Sequence, residues 1–171
     1  MAAPMWQWSA VDTATAIRDG RVTSEEVVQA HIDRMRTVNP AINAVVVDLS
    51  AQAIAEARAA DRAGVEGGYQ GKLHGVPVTI KINIDVQGQA NSNGVVAFRE
   101  NIAPGDSPVT ANLKKAGAII IGMTNTPSSR CAGSPTTRCT AQQGQHDHLR
   151  RIARWRGRID GGGHWCHRAR Q

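Results

Sequence analysis

The chain has 171 residues, enough for one domain with a core, and at 41% hydrophobic and 20% charged it reads as a globular rather than a wholly disordered chain. No run of about eighteen apolar residues is present to form a transmembrane helix, and Met1-Ala2-Ala3-Pro4-Met5-Trp6 lacks the basic start and apolar core of a secretory signal, so the expected compartment is cytoplasmic. The net charge of +6 is uneven: residues 1–127 hold 11 Lys and Arg against 12 Asp and Glu, whereas residues 128–171 hold nine Arg against Asp147 and Asp160.

Ser9-Ala10-Val11-Asp12 has capping-box spacing, with Asp in the Glu/Gln position, and predicts a short helix that stops near Asp19-Gly20. Thr23 or Ser24 caps a second helix with Glu25 and Glu26 in its first turn, where the helix dipole favours anions. Val28, Ile32 and Met35 recur at helical spacing, and Asn39-Pro40 is expected to close the element. Ala44-Val45-Val46-Val47 predicts a short buried strand. Ser50 is expected to cap an alanine-rich helix running to about Ala63, ahead of a glycine-rich loop from Gly64 to Gly71.

Val76-Pro77-Val78-Thr79-Ile80-Lys81 predicts a strand that ends on a lysine, and residues 83–105 have no helical period and predict a long irregular crossing. Ser107-Pro108 is a cap followed by proline at the first helical position, with Gly117 as the matching stop. Ala118-Ile119-Ile120-Ile121-Gly122 then predicts a fully apolar strand, followed by Thr124-Asn125-Thr126-Pro127. Apolar strands joined through a helix imply an α/β sheet covered on both faces.

Between Leu73 and Ile84 the ionisable residues are His74 and Lys81. Lys81 falls at the C-terminal edge of an apolar strand, where α/β sheets place ligands. A lysine among apolar neighbours is pushed toward its neutral form and can act as a base. A surface lysine with its stem laid along the strand fits the same spacing.

The segment Leu73-His74-Gly75-Val76-Pro77-Val78-Thr79-Ile80-Lys81-Ile82-Asn83-Ile84-Asp85 resembles the lysine segment of the amidase signature family. Asn93-Gly94, Asp106-Ser107-Pro108-Val109 and the run Leu113 to Pro127 continue the pattern in order, so the resemblance covers about Trp6 to Pro127. Ile82 departs from it, since many members carry Asp beside the lysine. The resemblance implies the N-terminal part, incomplete in this chain, of an α/β/α amidase fold. It also implies hydrolysis of a small-molecule amide by a Ser–cis-Ser–Lys triad, with no metal or organic cofactor. The lysine carries over onto Lys81. The bridging serine of a Gly-Gly-Ser-Ser-Gly-Gly loop and the nucleophilic serine have no match: Gly161-Gly162-Gly163 contains no serine, and Ser92, Ser107, Ser128, Ser129 and Ser134 lie outside such a context.

Past Pro127 the composition shifts to Arg without Lys, with Cys131, Cys139 and Cys166 and four of the six histidines. This is the output expected of GC-rich coding DNA read out of frame, and it predicts an irregular or disordered tail over 128–171. Read two bases later, Arg130 to Ala141 can encode Leu-Arg-Trp-Phe-Thr-Asp-Asp-Ala-Leu-His-Gly, which resembles the family's continuation. From Gly144 the other shifted frame can encode Ser-Gly-Gly-Ser-Pro-Gly-Gly, which resembles its glycine-serine loop with one serine replaced. Two frame disruptions are therefore expected, near Pro127 and near Gln142.

Other readings of the tail are weaker. Cys131, Cys139, His146 and His148, with His164, Cys166 and His167, are metal-ligating types, but a cysteine spacing of eight fits no compact zinc knuckle. Arg150, Arg151, Arg154, Arg156 and Arg158 beside Trp155 could hold nucleic-acid phosphates nonspecifically. Two alternatives to a truncated amidase follow: a nonenzymatic nucleic-acid-binding remnant that uses this tail, or a fragment completed by a second polypeptide. His31 lies beside Val28 and Ile32 and reads as a packing residue, the neighbours of His74 resemble the family's framework rather than its triad, and Asn125 reads as a turn former or a pocket-floor residue.

Overall fold

The structure, a computed structural model, describes residues 3–126; the expected tail lies outside the described residues. After a 3-10 turn at Met5–Gln7 come α1 (Ala10–Arg18), α2 (Ser24–Ile42), β1 (Val45–Asp48), α3 (Ser50–Val65), β2 (Pro77–Lys81), α4 (Pro108–Lys115) and β3 (Ile119–Thr124). A further 3-10 turn, Val96–Phe98, interrupts the irregular crossing after β2. The sheet order is β1-β3-β2, with β3 parallel to β2 and antiparallel to β1. This is a mixed α/β arrangement around an open sheet, and β2, α4 and β3 form the expected strand–helix–strand unit.

Local chemistry explains most boundaries. At α1 the Ser9 hydroxyl accepts from the Asp12 N–H at 3.1 Å and donates to the Asp12 carboxylate at 2.6 Å. At α2 the capping box is complete: Thr23 Oγ1 accepts from the Glu26 N–H, and Glu26 Oε2 accepts from the Thr23 N–H. The Asp61 carboxylate of α3 takes the next two N–H groups, those of Ser24 and Glu25, at 2.6 and 3.0 Å. Ser107 caps α4 by accepting from the Thr110 N–H, with Pro108 in the first turn and Gly117 at φ +88° just past the end.

Three expectations need correction. Helix α2 continues through Pro40 to Ile42 and ends on Asn43 in the left-handed region. Proline is tolerated here because its missing N–H would have served the carbonyl of Arg36, an exposed residue. Asn39 instead uses its carboxamide on both the N–H and the carbonyl of Val45, fixing the entry into β1. Secondly, Ser50 does not cap α3: Leu49 holds the cap position, and Asp48 Oδ1 accepts from both the N–H and the hydroxyl of Ser50. Thirdly, β1 is half-buried at one side of the sheet, whereas the central, buried strand is β3.

Packing on β3 divides the core in two. Ile119 and Ile121 face α2 and α3, meeting Val28, Ile32, Ala53 and Ala57. Ile120 and Met123 join Ile80, Ile82 and Val86, with Leu113 of α4 packed against them. Alternation would put residues 120 and 123 on opposite faces. Where β2 steps from Val78 to Thr79, β3 steps from Ile120 to Gly122, and this extra residue on β3 returns Met123 to the face of Ile120. Each such buried aliphatic side chain contributes about 1.5–3 kcal/mol.

Candidate functional site

Lys81 is the last residue of β2 and stands in register with Thr124 of β3. The strand end is anchored on both sides of it. Ile80 and Ile82 are buried, the Ile82 N–H donates to the Thr124 carbonyl, and the Ile84 N–H donates to the Lys81 carbonyl, both at 2.9 Å. The Lys81 side chain is exposed, and no carboxylate pairs with it among the described residues. Of the two readings of this lysine, the solvent-facing position is the one observed. Ile82, where the sequence departs from the family pattern, sits in the core cluster with Ile80 and Met123.

Beyond Lys81 the chain runs into an open groove of about 500 Å³ whose lining includes Asn83, Asn91, Asn93, Phe98, Glu100 and Asn101. Asp85 ties its base to α4. Its carbonyl accepts from the Ser107 N–H at 3.1 Å and from the Thr110 hydroxyl at 2.8 Å, and its carboxylate accepts from Asn91 Nδ2 at 2.5 Å. Because Thr110 spends its proton on Asp85, Ser107 Oγ is the donor in the 3.0 Å contact between the two hydroxyls. Asp106 adds a second tie by accepting from the Gln87 N–H at 2.8 Å and from Lys114 Nζ at 2.7 Å. Burial pushes the Asp106 carboxyl up, but the Gln87 N–H and the Lys114 ammonium outweigh it and hold the group below its usual value. Sequence reasoning passed over this pair; an acid just ahead of a helix cap was the available signal.

The other candidates are structural where described. Ser107 is committed to its cap, and Ser92 is buried with a hydroxyl that has no partner among the described residues. His31 donates from Nδ1 to the Val27 carbonyl at 2.9 Å. His74 is buried; its Nδ1 accepts from the Gln70 N–H, so Nε2 carries the proton and donates to the Ala60 carbonyl, both at 3.0 Å. Just past β3, Asn125 donates from its backbone to the Ala44 carbonyl and from Nδ2 to the Asn43 carbonyl, and its side-chain oxygen accepts the Thr126 N–H. Ser128, Ser129, Ser134, the cysteines, the tail histidines and the arginine cluster lie outside the described residues. Among the described residues no group of three His, Cys, Asp or Glu side chains could hold a metal ion. No helix there is long and apolar enough to cross a membrane.

The fold and the lysine-ended strand define an amidase-type α/β protein, and comparison with known proteins agrees. The family described as Amidase matches residues 26–143, a span that includes Lys81 and runs past Pro127; the chain belongs to this family. It is 62% identical over 124 residues to an indoleacetamide hydrolase of Bradyrhizobium diazoefficiens, covering 72% of this chain and 24% of that protein. It is 44% identical over 130 residues to fatty-acid amide hydrolase 2-B of Danio rerio, covering 72% of this chain and 25% of that protein. The solved peptide amidase from Stenotrophomonas maltophilia superposes with a TM-score of 0.65 at 29% identity, over 71% of this chain and 25% of that one. The chain thus spans about a quarter of the length of the relatives it matches.

Proposed function

We propose that residues 1–127 are the N-terminal part of an amidase domain that cleaves the C–N bond of a small amide, with Lys81 as the base of a Ser–cis-Ser–Lys triad. In this reading residues 128–171 are out of frame, so the 171-residue chain supplies the lysine and neither serine, and it does not turn over alone. The 62% identity to an indoleacetamide hydrolase carries the assignment and favours an indoleacetamide-like amide as the substrate. The lysine's placement supports it: Lys81 ends a strand fixed by buried Ile80 and Ile82 and has no carboxylate partner among the described residues.

Once the serine-bearing part of the domain shields it from water and holds it neutral, the lysine takes a proton through a bridging hydroxyl while a second serine attacks the amide carbonyl. The proton then passes to the departing nitrogen, which leaves as ammonia, and water releases the acid from the acyl-serine. The test is to resequence the coding DNA from the Thr124 codon to well beyond the Gln171 codon, and to assay the protein each reading encodes. Base insertions or losses near Pro127 and Gln142, with the restored protein hydrolysing indoleacetamide and losing that activity on Lys81→Ala, are the expected result. An uninterrupted 171-residue reading whose product releases ammonia from indoleacetamide would overturn it.

A further inference from the structure

Asn93 and Gly94 occupy the centre of a tight turn. The Val95 N–H donates to the Ser92 carbonyl at 2.7 Å, and both central residues have positive φ, 45° and 70°. This is the primed turn that Asn-Gly favours. The Asn93 side chain is exposed on the groove, and neither its carboxamide nor the Gly94 N–H has a hydrogen-bond partner among the described residues. We propose that Asn93 is a spontaneous deamidation site.

The Gly94 nitrogen loses its proton to hydroxide and attacks the Asn93 side-chain carbonyl carbon. The carbon–nitrogen bond of the carboxamide breaks, and its nitrogen takes up a proton and leaves as ammonia. Water then opens the cyclic imide at either carbonyl, leaving aspartate or isoaspartate at position 93. Glycine matters because it has no side chain to hinder ring closure.

The other groove asparagines are each held back. Asn91 has its amide nitrogen on Asp85 at 2.5 Å, and Asn83 precedes Ile84, whose N–H is spent on the Lys81 carbonyl. Asn101 donates to the Asn91 carbonyl and precedes the β-branched Ile102. At the end of α2, Asn39 precedes a proline, which has no N–H to attack with. Conversion at position 93 adds a carboxylate to the groove that Glu100 already lines.

The test incubates the purified 171-residue chain at mildly alkaline pH, followed by proteolysis, peptide mass mapping and enzymatic isoaspartate labelling. The expected result is conversion at position 93 ahead of every other asparagine, faster as pH rises, with Asn93→Gln removing the fastest phase. Earlier conversion of another asparagine would overturn the proposal. So would an Asn93 that stays intact in the folded chain while converting in urea, because the turn would then protect it.

Discussion

Lys114 places its ammonium 2.7 Å from the Asp106 carboxylate, reaching from the last turn of α4 back to the loop that precedes it. The same carboxylate accepts the Gln87 N–H, so one side chain pins the crossing after β2 against α4. Asp106→Ala strands both donors and is expected to cost about 1–3 kcal/mol in urea unfolding. Asp106→Asn keeps an acceptor for Gln87 and costs less, because Lys114 is 37% exposed and its ion pair is screened. The folded carboxyl lies below its ordinary value, so its stabilisation is complete above the unfolded pKa of about 4 and is lost as pH falls through the folded one. The gap between wild type and Asp106→Asn should therefore hold steady at neutral pH and close below about pH 4. A gap that persists in acid would place the effect elsewhere.

Gly75 is constrained twice. Its φ is +74°, and a Cβ built there stands 2.0 Å from Ser24 Oγ and 2.8 Å from Ser24 Cβ. Gly75→Ala should cost about 2–5 kcal/mol, the sum of left-handed strain and overpacking. Adding Ser24→Gly removes the overlap but not the strain, so the double variant should recover part of the loss. Full recovery would show that steric overlap alone carried the cost, and none would show that only the dihedral mattered.

His74 holds the loop after α3 to that helix through two ring nitrogens with opposite roles. His74→Leu leaves the Gln70 N–H without its acceptor and takes the ring bond from the Ala60 carbonyl inside α3, and should lower stability by about 1–3 kcal/mol. His74→Gln can keep one of the two bonds and should fall between wild type and His74→Leu. Thermal melts of the three chains decide the order.

What the sequence revealed about the fold depended on how local the cause was. Ser9, Thr23 and Ser107 were legible as caps because each acts within three residues of itself. Ser50 looked equally like a cap, but Leu49 holds that position and Asp48 accepts the Ser50 N–H, an arrangement that depends on the path of β1. Pro40 did not stop the helix because the carbonyl it leaves unserved belongs to the exposed Arg36, and Asn43 in the left-handed region ends it instead. The offset that sends Met123 to the face of Ile120 exists only once β2 and β3 are paired. At the site, the placement of Lys81 at a strand end followed from the apolar run before it. The exposure of its side chain did not, because that depends on what the rest of the fold lays over the strand end.

That exposure yields the last prediction. Lys81 makes no ion pair among the described residues and sits between two buried isoleucines that hold the strand without it. Lys81→Ala should leave the unfolding free energy of the chain within about 0.5 kcal/mol of wild type. In a protein restored to contain the serines, the same substitution should abolish amide hydrolysis while substrate binding survives. The two measurements separate a lysine kept for chemistry from one kept for folding. A large stability loss in the 171-residue chain would mean that the ammonium has a structural partner, and the base assignment would then lose its main structural support.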